Sequence, residues 1–129
     1  MRRKLRKSDV SARAARVRFL VLDVDGVLTD GRILLDAAGG ELKAFHVRDG
    51  SAIARALSAG IEVAFLSGRK SPAVLRRARE LGVTVVRQGV RRKASAFRAL
   101  ALRRGWPRGE TAAGGDALPD RESLAAAGV

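Results

Sequence analysis

With 129 residues, 47% of them hydrophobic, the chain holds enough apolar material for one modest globular core. It has no cysteine, which removes disulfides, thiolate metal sites and thiol nucleophiles together, and no apolar run approaches the roughly 20 residues of a membrane-spanning helix. Its net charge of +13 is the most unusual bulk property and directs attention to anionic partners.

The first segment is a basic arm, residues 1–17, in which Asp9 is the one acid. It reads as a solvated, partly disordered arm. Its charge would also suit nucleic acid or an anionic surface, and its Arg-rich, acid-poor composition is a little like that of an organelle transit peptide. Residues 18–129 form the single expected domain. Phe19-Leu20-Val21-Leu22 reads as a buried parallel strand. Arg32 to Asp36 and Glu41 to Val47 flank Ala37-Ala38-Gly39-Gly40 and predict a β-hairpin projecting from the end of that strand. Ile53, Ala54 and Leu57 give a helical stripe stopped by Gly60.

A second strand is expected over Ile61 to Leu66. A helix follows, capped by Ser71, opened by Pro72 and ended by Gly82. Val83 to Val86 reads as a third strand, and Lys93 to Arg104 as a helix stopped by Gly105. A weak strand at Thr111 to Ala113 leads to a last helix around Pro119 to Ala127. Alternating strands and helices imply an α/β fold, a parallel sheet with helices on both faces. A basic stretch from Arg69 to Arg108 holds one acid, Glu80, but lacks the interleaved aromatics of a stacking nucleic-acid site, so nucleic acid is not an expected partner.

Scarce acids nevertheless cluster. Asp23, Asp25 and Asp30 follow the first strand, and Asp116 and Asp120 follow the weak fourth one. In an open parallel sheet, ligands bind outside the carboxyl ends of the strands, so both groups would face one crevice. Period two puts Asp23 and Asp25 on one side of an extended chain, where their repulsion calls for a cation or a proton. Asp-x-Asp-Gly is also ordinary turn chemistry at a strand end.

The stretch Asp23-Val24-Asp25-Gly26-Val27-Leu28-Thr29-Asp30-Gly31 resembles the first motif of the haloacid-dehalogenase superfamily. Ser67 in Phe65-Leu66-Ser67-Gly68-Arg69 matches the second motif, Lys93 after Arg87-Gln88-Gly89 the third, and Gly115-Asp116-Ala117-Leu118-Pro119-Asp120 the fourth. The hairpin and Lys43-Ala44-Phe45-His46-Val47-Arg48-Asp49-Gly50 are similar to the capless branch that acts on 3-deoxy-D-manno-octulosonate 8-phosphate in lipopolysaccharide-precursor synthesis.

The resemblance implies a Rossmann-like sheet with a hairpin flap and no cap domain. It implies a cytoplasmic magnesium-dependent phosphomonoesterase that works through an aspartyl-phosphate. Asp23 would be the nucleophile and Asp25 the general acid and base. Ser67 and Lys93 would stabilise the transferring phosphoryl group, with Gly26, Gly68 and Arg69 on the substrate. Magnesium would be held by the Asp23 carboxylate, the Asp25 main-chain carbonyl and the Asp116 carboxylate. The expected partners are a small phosphorylated sugar acid and further copies of the chain, in a homotetramer whose hairpins cover neighbouring sites. A nine-carbon sugar-acid phosphate and a non-catalytic binding module are the alternatives. His46, the lone histidine, is expected in the return strand of the hairpin with a structural or subunit-facing role, and Asp120 as a supporting or helix-capping acid.

Two departures stand out. Members of the branch carry a second acid directly after the motif-four aspartate, where this chain has Ala117. They also continue into a further strand and helix beyond the position of Val129, so the domain is expected to be truncated at its C-terminus.

Overall fold

A computed structural model describes residues 6–115. Asp116, Ala117, Asp120 and the expected last helix lie outside the described residues. Strand β1 (Phe19–Leu22) is the centre of a four-stranded sheet together with β4 (Glu62–Leu66), β5 (Val85–Arg87) and β6 (Thr111–Gly114), in the order β5-β4-β1-β6. All three pairings are parallel, with Leu22 opposite Phe65 on one side and Gly114 on the other. The carboxyl ends of β1, β4 and β6 therefore share one edge.

Alternation along β4 builds a core on both faces. Val63 and Phe65 point to one side, where they pack with Val24, Leu28, Ile53, Val74, Ala78 and Val83. Ala64 and Leu66 point to the other, against Val21, Val85, Phe97, Leu100 and Trp106. Helices α2 (Val47–Ser58) and α3 (Pro72–Leu81) contribute to the first cluster, and α4 (Lys93–Arg104) covers the second.

The helix signals act as expected in α3. Ser71 Oγ accepts from the Ala73 N–H at 3.2 Å, Pro72 occupies the first turn, and Gly82 takes a left-handed φ of +83° as the C-cap. Gly105 ends α4 in the same way, with φ +68°.

Two expectations about elements are corrected. The hairpin is much shorter than the apolar pattern suggested: β2 is Leu34–Leu35 and β3 is Glu41–Leu42. Asp36 closes its turn by accepting from the Ala38 and Gly40 N–H groups at 2.9 and 2.7 Å. His46 does not lie in a return strand, because the chain has already turned to start α2. Its Nδ1 accepts from the Arg48 N–H at 3.0 Å, so His46 is the N-cap of that helix. The described part of the basic arm contains a solvated helix, α1 (Lys7–Ala14), in which the Arg6 N–H donates to the Asp9 carboxylate and no residue is buried.

Candidate active site

The sequence 24–29 forms a tight loop directly after β1. The Val24 carbonyl accepts from the N–H groups of Val27, Leu28 and Thr29 at 3.2, 2.8 and 3.2 Å. The Val24 side chain is fully buried and fills the core beneath the loop. Gly26 turns the chain with φ +84°, a conformation that disfavours any residue with a Cβ. Its N–H donates to Thr29 Oγ1 at 3.2 Å, so in this structure it serves the loop and is not open to an anion.

This loop puts Asp23 at the mouth of the sheet. Its N–H extends the ladder to the Gly114 carbonyl at 3.0 Å, and its side chain is buried. Lys93, the first residue of α4, places Nζ 3.0 Å from Asp23 Oδ1, and it too is buried. A lysine in the first turn of a helix opposes the helix dipole. The pair with Asp23 supplies the interaction that compensates.

Ser67 follows β4 at the same edge. Its N–H donates to the Arg87 carbonyl at 2.8 Å and its carbonyl accepts from the Val90 N–H at 3.1 Å, which fixes the backbone, and its side chain is almost wholly buried. The hydroxyl oxygen accepts a long hydrogen bond, 3.4 Å, from the Arg69 N–H. Gln88 secures the adjacent turn by accepting from the Ser71 N–H at 2.9 Å. The fourth-motif acids Asp116 and Asp120 follow Gly114 in the sequence and lie outside the described residues.

Asp25 has a partner that sequence reasoning missed. Lys43 Nζ lies 2.5 Å from Asp25 Oδ1 and 3.7 Å from Glu41 Oε1. Glu41 in turn accepts from Arg69 Nε and Nη2 at 3.1 and 2.8 Å. Arg69, read as an anion ligand, is thus engaged here by a carboxylate of the hairpin. Lys43 opens the stretch that resembles the capless branch, but its contact with Asp25 depends on the hairpin folding back across the site, which no local signal announces.

Asp30 takes no part in this cluster. It accepts from the Arg32 N–H at 3.1 Å and from Arg32 Nε at 2.7 Å. The main-chain hydrogen bond first, and the guanidinium second, hold its carboxyl below the usual aspartate range. A cavity of about 370 Å³ lies beside this loop, lined in part by Thr29, Asp30, Phe45, His46 and Asp49.

The donors at the strand end suit a hard cation, because they are oxygen atoms of two nearby aspartates with no sulfur or imidazole among them. Among the described residues no three acidic or imidazole side chains converge as a complete ligand set. The residues present fit a site that takes a further carboxylate from beyond them.

No family model matches the chain. It is 51% identical over 90 residues to 3-deoxy-D-manno-octulosonate 8-phosphate phosphatase KdsC of Escherichia coli (strain B / BL21-DE3), an alignment covering 70% of this chain and 48% of that protein. It is 43% identical over 113 residues to the enzyme of the same name from Haemophilus influenzae, covering 88% of this chain and 63% of the relative. The chain thus spans about half to two thirds of the length of the curated relatives it matches. Among solved structures, 3-deoxy-D-manno-octulosonate 8-phosphate phosphatase from Moraxella catarrhalis, in complex with magnesium, phosphate and KDO, superposes with a TM-score of 0.92 at 36% identity. That match covers 95% of this chain and 71% of the other. Two acids after a central parallel strand, a buried lysine on the first of them and a serine at the neighbouring strand end thus accompany sequence identity well above 30%, and the chain belongs to the 3-deoxy-D-manno-octulosonate 8-phosphate phosphatase family of the haloacid-dehalogenase superfamily.

Proposed function

We propose that this chain is a magnesium-dependent phosphomonoesterase that hydrolyses 3-deoxy-D-manno-octulosonate 8-phosphate to the free sugar acid and inorganic phosphate. The observation that carries the reading is the buried Lys93–Asp23 pair at the carboxyl edge of the sheet. A carboxylate held in place by a fixed ammonium is positioned to attack phosphorus. The ammonium is also in place to offset charge on the transferring group.

In this reading Asp23 attacks the phosphoryl group and forms an aspartyl-phosphate. Asp25 protonates the departing sugar oxygen and then takes a proton from the water that hydrolyses the intermediate. Ser67 donates its hydroxyl proton to a phosphoryl oxygen. The Asp23 carboxylate, the Asp25 carbonyl and Asp116 would hold magnesium, which supplies charge neutralisation between the anionic ester and the anionic nucleophile. Arg69 contributes to substrate binding once Glu41 yields it. Assembly into a homotetramer in the cytoplasm belongs to the same reading. Its support is the exposed apolar surface of the hairpin, at Ile33, Leu34, Leu35 and Leu42. No helix among the described residues is long and apolar enough to cross a membrane.

The test is phosphate release from 3-deoxy-D-manno-octulosonate 8-phosphate with magnesium or with chelator, beside Asp23→Asn. Magnesium-dependent release that is lost in the variant is the expected result. No release from folded protein, on this ester or on an aryl phosphate, would overturn the reading in favour of a non-catalytic module.

A further inference from the structure

Among the described residues, Lys43 is a cation with a strongly buried side chain that the proposed reaction leaves without a task. Its side chain is 2% exposed, and lysine is among the residues least often buried unless paired. Among the described residues its amine is the one partner of the Asp25 carboxyl, bound at Oδ1. Its position is fixed from both directions along the chain. Glu41, two residues earlier, lies 3.7 Å from the amine and is clamped by Arg69. Phe45, two residues later, packs against the core and lies under the Arg77 guanidinium, 5.8 Å from the ring centre. A lysine anchored in this way has little freedom to leave Asp25.

We infer that Lys43 is a positioning residue for the acid–base step. The inference rests on the phosphatase reading and adds a residue to it. By holding Oδ1, Lys43 fixes the rotation of the Asp25 carboxyl and leaves Oδ2 as the oxygen that exchanges protons. In the first half-reaction, an Asp23 oxygen bonds to phosphorus, the bond from phosphorus to the sugar oxygen breaks, and the proton of Asp25 passes to that oxygen. In the second, a water proton returns to Asp25, the water oxygen bonds to phosphorus, and the bond between Asp23 and phosphorus breaks. Proton transfer demands a donor within hydrogen-bond reach and in line, so a carboxyl free to rotate loses rate without losing affinity. The hairpin thereby acts on the chemistry of its own subunit.

The experiment compares Lys43→Met and Lys43→Arg with the wild type on an alkyl phosphate and on p-nitrophenyl phosphate. The alkyl leaving oxygen needs a proton, whereas nitrophenolate departs without one. For Lys43→Met, kcat/KM on the alkyl ester is expected to fall about 10²-fold, the ordinary contribution of a positioned acid. On the aryl ester the fall is expected to stay within about threefold, since that step does not call on the acid. Inhibition by inorganic phosphate should be unchanged, and Lys43→Arg should recover most of the alkyl activity. Adding Lys43→Met to Asp25→Asn should cost nothing further on the alkyl ester. Equal losses on both esters, or weaker inhibition by phosphate, would overturn the inference and make Lys43 a structural or phosphate-binding residue. A wild-type chain inactive on both esters would instead overturn the phosphatase reading, and the catalytic role of Lys43 with it. The pair itself is read separately from unfolding midpoints of Asp25→Asn, Lys43→Met and the double variant, where additive shifts would overturn it.

Discussion

Lys93 Nζ sits 3.0 Å from Asp23 Oδ1 with both side chains withdrawn from solvent, so the helix that covers one face of the sheet begins on the carboxylate that ends its central strand. Lys93→Met keeps the length of the side chain and removes the charge. Breaking a buried pair on one side costs about 3–5 kcal/mol. Relief of the unfavourable helix dipole returns about 0.3–1 kcal/mol. A net destabilisation of about 3 kcal/mol is expected in urea unfolding. Phosphate release should fall about 10²- to 10³-fold, as on removal of one fixed electrostatic donor.

Ser71 caps α3 and lies just beyond the Ser67 turn, yet its hydroxyl is spent on the helix. Ser71→Ala is expected to lower stability by about 1 kcal/mol, the usual cost of a lost N-cap. Its KM for the phosphate ester should match that of the wild type, which steady-state kinetics at a temperature well below the unfolding transition will show.

Trp106, the sole tryptophan, donates through Nε1 to Glu62 Oε2 at 3.1 Å and stacks on Phe19 with ring centres 5.1 Å apart. Glu62 also pairs with Arg104. Trp106→Phe retains most of the apolar contact but removes the hydrogen bond to a charged group. A loss of about 1.5–3 kcal/mol is expected. In the wild-type protein, tryptophan fluorescence should report the unfolding of the sheet directly.

Asp30 should titrate below the ordinary aspartate value of about 3.9 in a carboxyl-resolved NMR titration. Its contribution to stability is therefore present above that ordinary value and is lost as pH falls through the lower value in the folded chain. The carboxyl is exposed, so the effect on global unfolding is small. Arg32→Ala should move the titration only part of the way back, because the main-chain N–H of residue 32, the larger cause, remains.

Much of the scaffold was legible because its signals are local. Ser71, Pro72 and Gly82 bound α3 within one window of sequence. Period two along β4 is enough to assign Phe65 and Leu66 to opposite faces. Asp23 and Lys93 were legible through the motif resemblance, and their contact follows from parallel strand order. The hairpin was overextended because Phe45 and Val47 continue an apolar alternation that the His46 cap interrupts, and a lone histidine gives no sign that it will cap. Lys43 was passed over because its partners, Asp25 and Glu41, flank a turn whose fold-back has no periodic signature. Arg69 was legible as an anion-binding side chain, but nothing local reveals that the anion beside it in this structure is Glu41.

The strand order also sets a schedule. β1, an inner strand of the sheet, is the first of its strands to be synthesised, whereas α4 and β6, which flank it in the fold, come last among the described helices and strands. A nascent chain carrying only β1, β4 and β5 already holds Asp23 and Asp25 but has neither the ammonium of Lys93 nor the ladder partner of β1 on its β6 side. The ammonium of Lys93 and the β6 side of the ladder thus join Asp23 only when α4 and β6 dock, and on the proposed phosphatase reading the nucleophile gains its fixed positive partner with the later elements and not with its own strand.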